Sequence, residues 1–185
     1  MTPGIRTTHF IAFASCALVV ACAEAPDTAQ ITAVDQLISA TDGAMLTLNE
    51  LDRERYVRSD SLFTLQQAGF ADRFNDTLDR EAATALGNQF LALRTASVMG
   101  EDHVRVLDDL IASGERLRAL RSQLAQGTMR RTEGANAIAA EQAHHTALIV
   151  GVHAVMDNYR VLQRAWDRRD SVANWLADAQ APETP

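Results

Sequence analysis

Proline does not occur between Pro26 and Pro182, and this uninterrupted span constrains the fold more than any other feature of the chain. A proline inside a helix removes a backbone hydrogen bond and clashes with the preceding turn, so sequences that form long helices avoid it. The span is rich in alanine and leucine, which favour helix, and glycine is its only strong helix breaker. The sequence therefore predicts an all-α protein.

Apolar residues repeat at helical spacing over four stretches, which predict helices at residues 28–67, 72–99, 101–126 and 132–178. We interpret Gly69 and Gly100 as helix breaks and the stretch around Gly127 as a turn. The first and last stretches show regular heptad seams, typical of coiled-coil packing. Their positions are Ile31, Val34, Ile38, Thr41, Met45 and Leu48, and then Ile138, His145, Val152, Tyr159, Trp166 and Ala173.

Four helices joined by short turns indicate an antiparallel up-down four-helix bundle. Two of the predicted helices are longer than the others, so the start of the first and the end of the fourth are expected to project together as an overhang. Trp166 and Trp175 would then pack against the first turns of the first helix, around Ile31 and Val34. A break near residues 52–60 that folds this overhang back is the alternative.

The N-terminal segment carries one firm positive charge, at Arg6, followed by an uncharged stretch from Phe10 to Ala21. This apolar run is far shorter than the roughly 20 residues that a permanent membrane span needs. A short charged start followed by a short apolar run is typical of a signal peptide. No cysteine follows Cys22, so disulfides cannot stabilise the domain that comes after it.

Val19-Val20-Ala21-Cys22 resembles the lipobox of bacterial lipoproteins. The resemblance implies cleavage after Ala21 and lipidation of Cys22, including acylation of the palmitate type. Two or more lipid chains give stable anchoring without a membrane span. Because Ala23-Glu24 follows the cysteine instead of Asp, the resemblance implies outer-membrane attachment facing the periplasm. The alternative is an ordinary secretory signal cut near Ala23 or Ala25.

These observations divide the chain into four parts. Residues 1–21 are the expected lipoprotein signal peptide, 22–27 a short tether, 28–179 the helical bundle domain and 180–185 a disordered tail.

Four residues are the candidate metal ligands: His103, Glu141, His145 and His153. If the third and fourth helices form a hairpin centred near residue 128, His103 lies level with His153. Glu141-Gln142-Ala143-His144 matches the Glu-x-x-His spacing of ferritin-like di-metal bundles, but those sites need two such motifs and this chain has one. Met99-Gly100-Glu101-Asp102-His103 also resembles a Met-x-x-Asp-His run of periplasmic ferritin-like domains. The favoured interpretation is a core His145 with surface His103, His144 and His153, and no metal or other cofactor.

The sequence offers no catalytic constellation, because its serines lie in helical contexts and its paired carboxylates, such as Asp108-Asp109, point in different directions on a helix. We therefore expect a protein that is not an enzyme. A net charge of −7 also argues against a nucleic-acid partner, whose phosphates need cations.

Arg160, Arg164 and Arg168 follow one another at four-residue intervals, with Trp166 between them. The simplest interpretation is a solvated stripe paired with Asp157, Asp167 and Asp170. The alternative uses the overhang, which would place this stretch beside the membrane, where arginine can pair with lipid phosphates and tryptophan favours the interface.

Together these features predict a lipid-anchored, periplasm-facing helical-bundle lipoprotein that acts as an envelope structural or protein-interaction module. Its expected partners are the membrane, through the lipidated cysteine, and another envelope protein. A metal-binding or sensory four-helix bundle of the envelope is the alternative function.

Overall fold

The computed structural model describes residues 25–75 and 77–178, so the predictions for the signal peptide, Ala21, Cys22 and the 180–185 tail lie outside the described residues. The described residues form helices and no strand, which confirms the all-α class. Six helices follow one another: α1 (Thr28–Asn49), α2 (Glu54–Arg73), α3 (Arg80–Arg94), α4 (Ala96–Ala125), α5 (Arg131–Asp167) and α6 (Arg169–Asp178).

The six helices form three long rods, each made of two helices placed end to end. Rod I is α1 followed by α2, rod II is α3 followed by α4, and rod III is α5 followed by α6. At a rise of 1.5 Å per residue each rod is ~70 Å long. Rod II runs antiparallel to the other two, because Arg121 pairs with Asp35 and Arg118 with Asp42, so that rising numbers in α1 meet falling numbers in α4.

Rod I keeps its alignment with rod III across the break between α1 and α2 at residues 50–53. Thr41 contacts His145 before the break, and Tyr56 packs on Tyr159 after it, so the offset between rods I and III changes by only one residue. The expected break in this region is therefore present, but the chain does not fold back there.

The four-helix arrangement with two longer helices is wrong, because α3 and α4 share one rod instead of forming a hairpin. Gly100 lies inside α4 and does not end a helix. A Cβ atom at position 100 would lie 3.2 Å from the Cβ of Tyr56, closer than most packed side chains come. Glycine at this position thus allows rod II to approach rod I, and that packing offsets its low helix propensity.

The turn between α4 and α5 lies where the sequence predicts it. Gly127 adopts a φ of 63°, the left-handed conformation that commonly follows a helix C-terminus. Arg116 pairs with Glu141, and Gly151 lies against Val106, which confirms the predicted hairpin register near residue 128.

The predicted overhang is also wrong. The start of α1 packs against the end of α4 and the start of α5, where Val34 shares a core with Leu117 and Ile138. Trp166 lies at the other end of the rods, next to Arg55 of α2. The two tryptophans are therefore remote from the first turns of α1.

Within residues 25–75 and 77–178, no helix has both the length and the apolar character that crossing a bilayer requires.

Candidate interaction surface

A groove runs between rods II and III on the side that rod I does not cover. Its floor is made of small residues, including Ala85, Ala92 and Ala165, which leave space between the helices. Gln89 is buried and donates a hydrogen bond from Nε2 to the carbonyl oxygen of Ala165 at 3.0 Å. This bond fixes the spacing of α3 and α5 at the floor of the groove.

The groove has two adjoining parts, with volumes of about 730 Å³ and about 710 Å³. Both are lined by Ala85, Asn88 and Arg168, so they form one continuous surface. Large apolar side chains with substantial exposure lie along it: Leu91 (59%), Val98 (58%), Val161 (38%) and Trp175 (43%). We call this surface the basic groove.

Three arginines and two carboxylates line the basic groove, so its net charge is positive: Arg80, Arg164, Arg168, Glu81 and Asp102. Arg164 and Arg168 both line it, and neither forms an ion pair with any described residue. Asp102 is the carboxylate in the same part of the lining, and it accepts a hydrogen bond from Arg105 at 2.7 Å. The groove therefore combines exposed apolar side chains with two arginines, Arg164 and Arg168, that form no ion pair with a described residue.

The other members of the predicted arginine stripe behave differently. Arg160 pairs with Asp157 at 2.8 Å, as the simpler interpretation expects. Trp166 is half-buried, and the guanidinium carbons of Arg55 and Arg169 each lie 4.9 Å from its ring centre. The placement that the lipid-contact interpretation needed is wrong, because the stripe lies far from the end of the rods at which residue 25 is found.

The candidate metal ligands lie in four different surroundings. Glu141 is engaged by Arg116, His145 Nδ1 lies 3.2 Å from the Thr41 hydroxyl, and His153 is exposed. His103 is fully buried on another side of the hairpin. Nowhere in the described ranges do three His, Cys, Asp or Glu side chains gather in a way that could hold a metal ion.

The prediction of a core His145 and a surface His103 is wrong, because His103 is buried in the core and His145 is partly exposed. The His103 ring packs edge-on against Tyr56, with ring centres 5.7 Å apart. Neither ring nitrogen has a hydrogen-bond partner among the residues described. Burial lowers the pKa of His103, the charge of Arg53 lowers it further, and the Leu48 carbonyl opposes the shift without forming a well-directed bond.

Tyr56 completes this buried polar group at the junction of α1 and α2. Its ring also packs edge-on against Tyr159, with centres 5.8 Å apart. Burial raises the pKa of Tyr56 to about 12, and the neighbouring Tyr159 adds to the shift, so the phenol stays protonated.

A second surface lies between α2 and α4, on the other side of α4 from the basic groove. It has a volume of about 710 Å³ and exposes the apolar side chains of Val57 and Val104. Its charged lining consists of four carboxylates and two guanidinium groups: Asp60, Glu101, Asp108, Asp109, Arg53 and Arg105. We call this surface the acidic face.

Three of these carboxylates are free for a partner. Asp60, Glu101 and Asp108 form no ion pair or side-chain hydrogen bond with another described residue, whereas Asp109 lies 3.9 Å from Arg105. The acidic face therefore resembles the basic groove in its exposed apolar side chains and has the opposite charge.

Sequence reasoning missed both surfaces. Leu91 and Val98 recur one heptad apart but lie outside the apolar seam, and this was the available signal for the basic groove. The sequence shows the arginine stripe, but it cannot show that Arg164 and Arg168 form no ion pair with a described residue while Arg160 pairs with Asp157.

Comparison of the chain with protein-family models, with curated proteins and with solved structures finds no match, so its function is inferred from these surfaces.

Proposed function

We propose that this protein is a lipid-anchored lipoprotein of the outer membrane, facing the periplasm, and that it acts as a protein-interaction module through its basic groove. One observation carries the proposal: a continuous groove combines exposed Leu91, Val98 and Trp175 with unpaired Arg164 and Arg168. Exposed apolar surface rimmed by polar groups is characteristic of sites that bind another protein.

The position of the groove supports a protein partner over the lipid surface. If Cys22 carries the anchor, the anchored end is the one where Asp27 pairs with Arg131. Val161 lies about 30 residues further along rod III, which corresponds to ~45 Å. A groove at that distance from the anchor can reach another envelope protein.

The anchor is tested by comparing Cys22→Ser with Cys16→Ser in cells. Acylation needs the thiol of Cys22, so the Cys22 variant should remain uncleaved or become soluble. The Cys16 variant and the unchanged chain should enter the detergent phase. A Cys22→Ser protein that is still cleaved to the mature size and still enters the detergent phase like the other two would contradict the lipoprotein assignment.

The groove is tested by placing a photoreactive amino acid at Val98 and, as a matched control, at Val150. Both valines are exposed and lie on rods that border the groove, but Val150 does not line it. Irradiation of cells should give a protein adduct at position 98 and none at 150. No adduct at position 98, or equal adducts at both positions, would contradict the interaction role.

A further inference from the structure

We infer that the partner of the basic groove is a second copy of this chain, which presents its acidic face. This inference rests on the proposed function and names the partner for the same groove. Both surfaces expose apolar side chains, and their net charges are opposite: the arginines outnumber Glu81 and Asp102 on the basic groove, whereas Asp60, Glu101, Asp108 and Asp109 outnumber Arg53 and Arg105 on the acidic face. Opposite potentials across an apolar contact promote association and exclude partners of like charge.

The two surfaces also lie at a matching height along the rods. Tyr56 packs on Tyr159, so these two residues are level. Asp60 follows Tyr56 by about one helical turn, and Arg164 follows Tyr159 by little more than one turn. Asp60 of one copy therefore meets Arg164 of a neighbour when the two copies stand side by side at the same height.

The expected arrangement is parallel, because two copies anchored through Cys22 to one membrane have the same end at the lipid. In a parallel pair Gln67, two turns beyond Asp60, comes level with Ser171, which lines the far part of the basic groove. An antiparallel pair would move Gln67 away from Ser171 towards the middle of rod III.

The contact joins two different surfaces, so it is heterologous. A copy whose basic groove is filled still exposes its acidic face, and a third copy can bind there. We therefore expect assemblies larger than dimers.

Engineered cysteines test this contact in the intact protein in membranes. The chain has two cysteines, so a Cys16→Ser background keeps only the lipid-bearing Cys22. Two differently tagged copies, one with Asp60→Cys and one with Arg164→Cys, are treated with a short bis-maleimide. A mixed dimer should form from this pair and neither variant alone should give one, while Glu115→Cys in place of Asp60→Cys should give none. Copies carrying both substitutions should form a ladder of oligomers.

A second cysteine pair tests the orientation. Gln67→Cys and Ser171→Cys on separate copies should form a mixed dimer. Crosslinking between positions 60 and 164 without crosslinking between 67 and 171 would overturn the parallel arrangement. Crosslinks only between identical positions, or none at all, would overturn the assignment of a second copy as partner. A photoreactive adduct at Val98 with a different protein would then leave the proposed interaction role standing.

Charge exchange separates a specific contact from chance proximity. Arg164→Glu on the copy with Ser171→Cys should lower crosslinking to Gln67→Cys about tenfold, because like charges then face each other. Adding Asp60→Arg to the copy with Gln67→Cys should restore it. Glu115→Arg serves as the matched control and should not restore it. Crosslinking that ignores these charges, or that Asp60→Arg fails to restore, would overturn the proposed pairing.

Discussion

The two ends of the rods are stabilised in different ways. We call the half that contains residue 25 the near half and the other the far half. In the near half, α1 packs with the end of α4 and the start of α5, and the rods are joined by ion pairs such as Arg118–Asp42 and Arg116–Glu141. In the far half, α2, α3 and α6 pack with the start of α4 and the end of α5 around phenylalanines. The far-half ion pairs within the described ranges join residues close in sequence, such as Arg160 and Asp157.

This difference shows where binding surface can arise. In the near half, ion pairs between rods engage Arg116, Arg118 and Arg121. In the far half, aromatic rings fill the core on one side. Small residues line the other side and leave the basic groove open. Arg164 and Arg168 form no ion pair with a described residue, and Asp102, which lines the groove near them, already accepts a hydrogen bond from Arg105.

The largest expected effect comes from the aromatic core of the far half. Phe70 is fully buried, and its ring centre lies 5.5 Å from that of Phe90. Phe70→Ala should lower the free energy of unfolding by ~3–5 kcal/mol, because it removes buried apolar surface and leaves a cavity. Urea denaturation measures this loss. Phe74→Ala is the matched control, and since Phe74 is 43% exposed its loss should be clearly smaller. Equal losses would mean that this cluster is not the core of the far half.

A glycine pair compares the packing of the two halves. A Cβ at Gly134 would lie 2.6 Å from Gln30 Oε1 and 2.7 Å from Leu124 Cδ2, so Gln30 would have to move. Its amide nitrogen donates a 2.8 Å hydrogen bond to the Arg131 carbonyl, which movement would disturb. Gly134→Ala should therefore cost ~1–3 kcal/mol of stability.

Gly69 is the matched position in the far half, where a new Cβ would meet Leu176 at an ordinary 3.4 Å. Gly69→Ala should raise the stability by ~0.5–1 kcal/mol, since alanine favours the helix. Thermal unfolding of both variants measures these effects. A stabilising Gly134→Ala would show that the near half is less tightly packed than we describe.

His103 makes the junction of the two halves sensitive to acid. Its folded-state pKa is lowered by burial, so the unfolded chain binds a proton more readily than the folded one. The free energy of unfolding is therefore unaffected by protonation of His103 above a pH of about 6.5, the ordinary histidine pKa. It falls as the pH drops below that value, because the unfolded chain then binds the proton. His103→Leu should weaken this loss and, by removing an unsatisfied buried group, raise stability by ~1–3 kcal/mol. His153→Leu, at an exposed position, removes no buried unsatisfied group and should change the free energy of unfolding by less than ~0.5 kcal/mol.

The smallest expected effect concerns the ion pairs between rods in the near half. Arg116→Ala removes the pair with Glu141 and should cost ~0.2–1 kcal/mol, because the Arg116 side chain is about half exposed. The loss should shrink in high salt, which screens surface charges. Arg160→Ala removes a pair within one helix and serves as the control. A larger loss for Arg160→Ala would contradict the importance we give to pairing between rods.

Local sequence determined much of the secondary structure. Alanine, leucine and heptad spacing act over a few turns, so the all-α class and the helical phase of Val34, Thr41 and Leu48 could be predicted. The turn at Gly127 and the register of the α4–α5 hairpin could also be predicted, because a short turn determines which residues of the two joined helices face each other. Asp27 caps α1, accepting a hydrogen bond from the backbone nitrogen of Ala29 at 3.0 Å.

Only the tertiary structure decided how many rods there are and which groups remain free. Gly100 continues α4 because Tyr56 packs against it, and the ~1 kcal/mol helix penalty of a glycine is small beside such packing. His103 is buried and His145 is half exposed. The faces of α4 and α5 that are covered in the three-rod packing are not the faces that the predicted four-helix bundle would cover. The two surfaces beside α4 likewise depend on residues distant in sequence. Helical periodicity reports which face of a helix is apolar, whereas the neighbours that cover or expose that face are set by the packing of the whole chain.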